Sequence, residues 1–118
     1  MSNPILDPSA VERLSRIGGN RLVHAMVGSF LENGAARIQS ARDAAAAGDA
    51  QGVSDAAHAL KSSAGNLGAT TLQLTAQKVE RESKEPGARL QVLTEELAAA
   101  FEEAGAAARK ARDAAGSG

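Results

Sequence analysis

The chain has 118 residues, enough for one domain with a single core. Of these, 43% are hydrophobic, but alanine supplies much of that share and Phe30 and Phe101 are the only aromatics, a palette that suits closely packed helices and not sheets. The net charge of −1 and the absence of cysteine argue against a general nucleic-acid binder, and they exclude disulfides, thiol catalysis and cysteine-based zinc sites.

Asp7-Pro8 reads as an N-cap followed by proline at the first helical position. A short helix follows, with Val11, Leu14 and Ile17, and Gly18-Gly19 ends it. Asn20 can cap the next helix. There Val23, Met26, Val27, Phe30 and Ile38 recur at helical spacing, and the run continues to Gly48 with Gly34 as a costly but tolerable interruption. Met26, Val27 and Phe30 are expected mainly in the core; the alternative is that one or two spill onto the surface beside His58 and give a partner an apolar anchor.

Gly48-Asp49 is a stop followed by a start. The next helix carries Val53, Ala57, Leu60, Ala64 and Leu67 on one face and stops at Gly68. Thr70 or Thr71 could cap a further helix holding Leu72, Ala76 and Val79. Pro86-Gly87 breaks the chain, and a last helix presents Leu90, Leu93, Leu97, Phe101 and Ala104 as a packing seam. These elements predict an all-α, up-down antiparallel four-helix bundle with a short additional N-terminal helix as a lid, one domain over 1–118 with a frayed tail from about 114.

The chemistry concentrates in residues 57–69, AHALKSSAGNLGA. At 100° per residue, His58, Lys61, Ser62 and Gly65 form one ridge about 130° from the apolar stripe, facing solvent. A core histidine does not fit that placement. An incidental surface histidine would not require its companions. Lys61 can bring its ammonium near an anion attached to the ring, and Ser62 is small and can donate a hydrogen bond. Gly65 costs a helix about 1 kcal/mol relative to alanine, which suggests that another surface must come close. The ridge reads as an exposed nucleophile, a cation for a phosphoryl group and a low floor for a partner.

This stretch resembles the motif of histidine-containing phosphotransfer (HPt) domains, H-x-x-K-[GS]-[SA] followed by Leu-Gly-Ala, and the likeness extends from ILDPSAVERL through the later amphipathic helices. The resemblance implies a four-helix bundle and reversible phosphoryl exchange between an imidazole nitrogen and a receiver-domain aspartate. It implies His58 as phosphoacceptor, Lys61 facing the phosphoryl oxygens, Ser62 at the small position, and weaker matches at Gly65 and Ala69. Some members carry a glutamine on the following helix. Here that register falls on Glu80, with Gln73 and Gln77 nearby; a carboxylate beside phosphohistidine is unfavourable, so Glu80 is expected to point aside.

A neutral imidazole can attack an acyl phosphate without a separate base. Positioning and charge stabilisation then come from the lysine and from Mg²⁺ bound by the partner, so no cofactor of the chain's own is expected. There is no phosphate-binding loop of an autonomous kinase. The expected protein is a phosphoryl carrier in a His-Asp phosphorelay, serving response-regulator receiver domains and/or a hybrid sensor kinase. It is expected to be a cytoplasmic monomer with neither nucleic-acid nor membrane partners. The initiator Met and the capped ends favour a free-standing protein.

The alternative is a helical adaptor that binds such partners without phosphotransfer. A metal-binding bundle would need Glu-x-x-His pairs that His58 lacks. His24 is expected to be structural, without a metal pattern around it. Gly65-Asn66-Leu67-Gly68 spells the GXXG of KH modules, but its place at a helix end makes it a helix stop. Lys78, Arg81 and Lys84 read as a solvated face.

Overall fold

A computed structural model describes residues 5–115. Among them the chain forms four helices: α1 (Pro8–Ala46), α2 (Ala50–Leu67), α3 (Thr70–Glu82) and α4 (Leu90–Ala114). Helices adjacent in sequence pack together and α1 also packs on α4, which closes the ring; α1 and α3 lie across it from each other. This is the up-down bundle expected from the pattern.

The anticipated short first helix and the second are both present, joined across a kink at Gly19 within α1. A straight 39-residue helix would extend about 58 Å at 1.5 Å per residue. The molecule extends 47 Å along its longest axis, and α1 bends within it. It does so at Gly19, with φ 67° and ψ −164°, outside the helical region and open to glycine at little cost. Asp7 caps its start as expected, accepting from the Ser9 backbone N–H at 3.0 Å. Of the apolar residues before the bend, Val11 and Leu14 are half-buried while Ile17 is 74% exposed, so the stripe predicted there is incomplete.

Both ends of α2 are set by glycine turns. Gly48 and Gly68 adopt positive φ, and in each turn the following residue donates back across the helix end: Asp49 to the Ala44 carbonyl at 2.8 Å, Ala69 to the Ala64 carbonyl at 2.8 Å. Asp49 then caps α2 by accepting from Gly52. The cap expected of Thr70 or Thr71 is not used. The N-cap of α3 is Ala69, fully buried in the two-residue connection, which leaves no room for a threonine cap before the helix begins. The Asp7 N–H donates to the Gly68 carbonyl at 2.7 Å, which fastens the N-terminal segment to this turn.

The predicted core positions of α2 and α3 are buried, as are Val23, Val27, Phe30 and Ile38 of α1 and Leu93, Leu97, Phe101 and Ala104 of α4; Leu90 and Met26 are half-buried. Helix α4 continues through Ala114 with Ala115 as its C-cap; residues 116–118 of the tail expected to fray lie outside those described.

Gly34 is the residue that lets α1 and α4 close. A Cβ there would lie within 2.1 Å of the Phe101 ring, and that ring packs on Phe30 with centroids 5.4 Å apart. The clash outweighs the better helix propensity of alanine. Gly34→Ala is therefore expected to destabilise the bundle by about 1–3 kcal/mol, read as a fall in the thermal midpoint. A midpoint equal to or above that of the parent would mean that the Phe101 ring moves aside freely.

Candidate functional site

The site lies where the middle of α2 meets the last two turns of α3. Burial of Val53, Ala57, Leu60, Ala64 and Leu67 fixes the rotation of α2, and the opposite consequence is that His58 faces outward. Its side chain is 62% exposed. Lys61, one turn on, is half-buried against α3, while Ser62 and Gly65 are exposed along the same ridge. The four residues singled out in the sequence are thus brought together.

Glu80 does not point aside. Its Oε2 lies 2.8 Å from His58 Nδ1, and its Oε1 accepts from Lys61 Nζ at 2.7 Å. The expectation rested on repulsion between a carboxylate and a phosphorylated ring, which is weakened when the two occupy different ring edges. Here the carboxylate occupies the Nδ1 edge and has the lysine ammonium on its other oxygen. Gln73 lies instead near Gly65, where a Cβ would stand 3.4 Å from its Nε2. Gln77 is exposed.

Electrostatics keep Glu80 ionised. The hydrogen bond from Lys61 is the largest influence and lowers its pKa below the ordinary 4.5; burial opposes this, and the His58 hydrogen bond adds to the lowering. An ionised carboxylate only accepts, so Nδ1 must be the protonated ring nitrogen. In the neutral ring the lone pair then sits on Nε2. A carboxyl whose pKa is lower in the folded chain contributes stability above its unfolded pKa and loses it as pH falls through the folded value. The difference in thermal midpoint between the parent and Glu80→Gln is accordingly expected to shrink as pH drops below 4.5. A difference that stays constant through that range would show that the carboxylate's charge is not what the network uses.

Beside this cluster, Met26 borders a small cleft with Ser63, Asn66 and Leu67, on the α1 side of α2. Lys78 pairs with Glu96 at 2.8 Å and Arg81 approaches Glu82, so these two are engaged with acidic neighbours. His24 is half-buried on α1. Among the described residues no group of acidic or histidine side chains could hold a metal ion, and no helix is long and apolar enough to cross a membrane.

Comparison with known proteins decides the family. The model of the Hpt domain matches residues 25–112, about three quarters of the chain and all of the site. The chain belongs to the Hpt domain family. Hpt domain proteins are phosphotransfer carriers in two-component phosphorelays, whose partners are receiver domains and kinases, and that is the role of this chain. The fold agrees: the crystal structure of histidine-containing phosphotransfer protein B (HptB) from Pseudomonas aeruginosa PAO1 superimposes with a TM-score of 0.84 at 24% identity, covering 95% of this chain and 97% of that one. No curated protein matches the sequence.

Reasoning from sequence missed Glu80 as a partner of His58 and two buried serines behind it, Ser54 and Ser83. Ser54 stands four residues before His58 on α2, a position visible in the sequence but without a sign of what it bonds.

Proposed function

We propose that this Hpt domain accepts a phosphoryl group on Nε2 of His58 from a receiver-domain aspartyl phosphate and returns it to another receiver aspartate. The observation that carries this reading is the Nδ1–Glu80 hydrogen bond at 2.8 Å on a ring that is mostly open to solvent. The Nε2 lone pair attacks phosphorus, an N–P bond forms, and the P–O bond to the aspartate carboxylate breaks. The ring gains positive charge as the bond forms, and Glu80 stabilises that charge through Nδ1–H. The reverse transfer follows the same path.

Lys61 has two acceptors to serve. It holds Glu80 now, and a phosphoryl group on His58 would offer a second partner within reach of the same ammonium. Ser62 and Gly65 form the low floor on which a receiver lands. Mg²⁺ comes with the receiver and the chain needs no cofactor of its own. It has no kinase activity, and it works as a cytoplasmic monomer.

The test is incubation of the purified chain with phosphorylated receiver domains, following transfer of label and mapping it to a residue. Label on any residue other than His58 overturns the reading. Lys61→Ala is expected to slow transfer about tenfold while leaving receiver affinity within about twofold, because the ammonium acts on the phosphoryl charge. Equal losses in rate and affinity would place Lys61 in docking instead.

A further inference from the structure

Glu80 is held by its backbone as well as by its side chain. Its carbonyl oxygen lies in the last turn of α3, where helix carbonyls lack their usual donor. Two serine hydroxyls donate to that one oxygen: Ser54 Oγ from α2 at 3.1 Å and Ser83 Oγ from the end of α3 at 3.2 Å. Both serines are shut from solvent, at 2% and 1% exposure. A buried hydroxyl is unfavourable unless it is bonded, and alanine is the common small residue of this core. Both hydroxyls are spent on the same acceptor, in the residue whose carboxylate holds His58 and Lys61.

Ser54 and His58 are four residues apart, hence on one face of α2, a single turn from each other. Helix α2 therefore grips Glu80 at two places: the backbone through Ser54 and the carboxylate through His58 and Lys61. Sliding or rotation of α3 against α2 would have to break the first contact before it could misplace the second.

We infer that Ser54 and Ser83 are positioning residues for phosphotransfer, fixing the Glu80 backbone so that its carboxylate meets Nδ1 of His58. This rests on the role proposed for His58. Neither serine touches the reacting atoms; they act through Glu80.

The experiment uses the full chain carrying Ser54→Ala together with Ser83→Ala, in the parent and in the Glu80→Ala background. Two quantities are read: the ring-nitrogen tautomer of His58 by long-range ¹H–¹⁵N NMR, and the rate of label acceptance from a phosphorylated receiver. In the parent background the Nδ1–H tautomer should lose its dominance and the rate should fall about threefold to tenfold. In the Glu80→Ala background the same pair of substitutions should leave the rate unchanged, since the residue they position is gone.

A similar fall in both backgrounds overturns the inference, as does a lowered thermal midpoint with tautomer and rate intact. If the double variant does not fold, Ser54→Ala alone, which retains the Ser83 hydrogen bond, is held to the same criteria with an expected fall of about twofold to threefold. If the parent does not accept label on His58, the phosphoacceptor reading fails, and the tautomer measurement still decides whether the serines position Glu80.

Discussion

His58→Gln is expected to reduce phosphoryl acceptance to background while the bundle stays folded. Glutamine has comparable reach and polarity but no ring lone pair, so the nucleophile is lost and little else. The side chain it replaces is 62% exposed and contributes nothing to the core, and exposed substitutions of this kind usually change stability by less than about 0.5 kcal/mol. The helical circular dichroism spectrum should be unchanged and the thermal midpoint should move by a few degrees at most. Acceptance is measured as label transferred from a phosphorylated receiver, with acid lability as the mark of an N–P bond. His24→Gln is the matched control, replacing a half-buried histidine on α1. Normal labelling of His58→Gln, or loss of labelling in His24→Gln, would move the acceptor away from α2.

Local patterns made most of the fold legible. The apolar stripes, the Asp7-Pro8 start, the two glycine stops around α2 and the Pro86-Gly87 break each act within one or two turns, and each appears where expected. What failed locally failed for a tertiary reason. The break at Gly18-Gly19 is not among these failures, since the helix is interrupted at Gly19 as the pattern predicts. Gly34 read as a cost because its benefit lies 67 residues away, in the Phe101 ring that takes the space of the missing side chain.

The site divides in the same way. His58, Lys61, Ser62 and Gly65 belong to one helix, so 3.6-residue periodicity places them together. Glu80 belongs to another helix. The register of α3 on α2 decides which of Gln73, Gln77 and Glu80 reaches the ring, and that register is set by the Gly68-Ala69 turn and by burial of Leu72, Ala76 and Val79. Charge alone suggested repulsion and gave the wrong orientation. The deciding fact is which ring nitrogen the carboxylate meets, and a sequence does not carry that.

Removal of the carboxylate is the second large effect expected. Glu80→Ala should slow acceptance by about tenfold to a hundredfold, with Glu80→Gln intermediate. Alanine takes away the acceptor of Nδ1–H, so the neutral ring divides between tautomers, and it leaves the positive charge developing on the ring without a counter-charge. Glutamine can still accept from Nδ1–H through its amide oxygen and loses only the charge. An opposing effect exists. Without Glu80, Lys61 is released from its 2.7 Å contact, and an incoming phosphoryl group no longer meets a nearby negative charge. That gain is limited: two unit charges about 6 Å apart interact by roughly 3 kcal/mol near a protein surface, but the Lys61 ammonium paired with the carboxylate cancels most of this repulsion. The loss corresponds to about 1.4–2.7 kcal/mol, so slowing should win. Rates are read with one phosphorylated receiver at saturating concentration, and the labelled ring nitrogen is assigned by NMR. Glu80→Ala should also raise the share of phosphate found on Nδ1, which the parent keeps blocked. Faster acceptance by Glu80→Ala, still confined to Nε2, would make Glu80 a brake that restrains Lys61 and not the group that orients the ring.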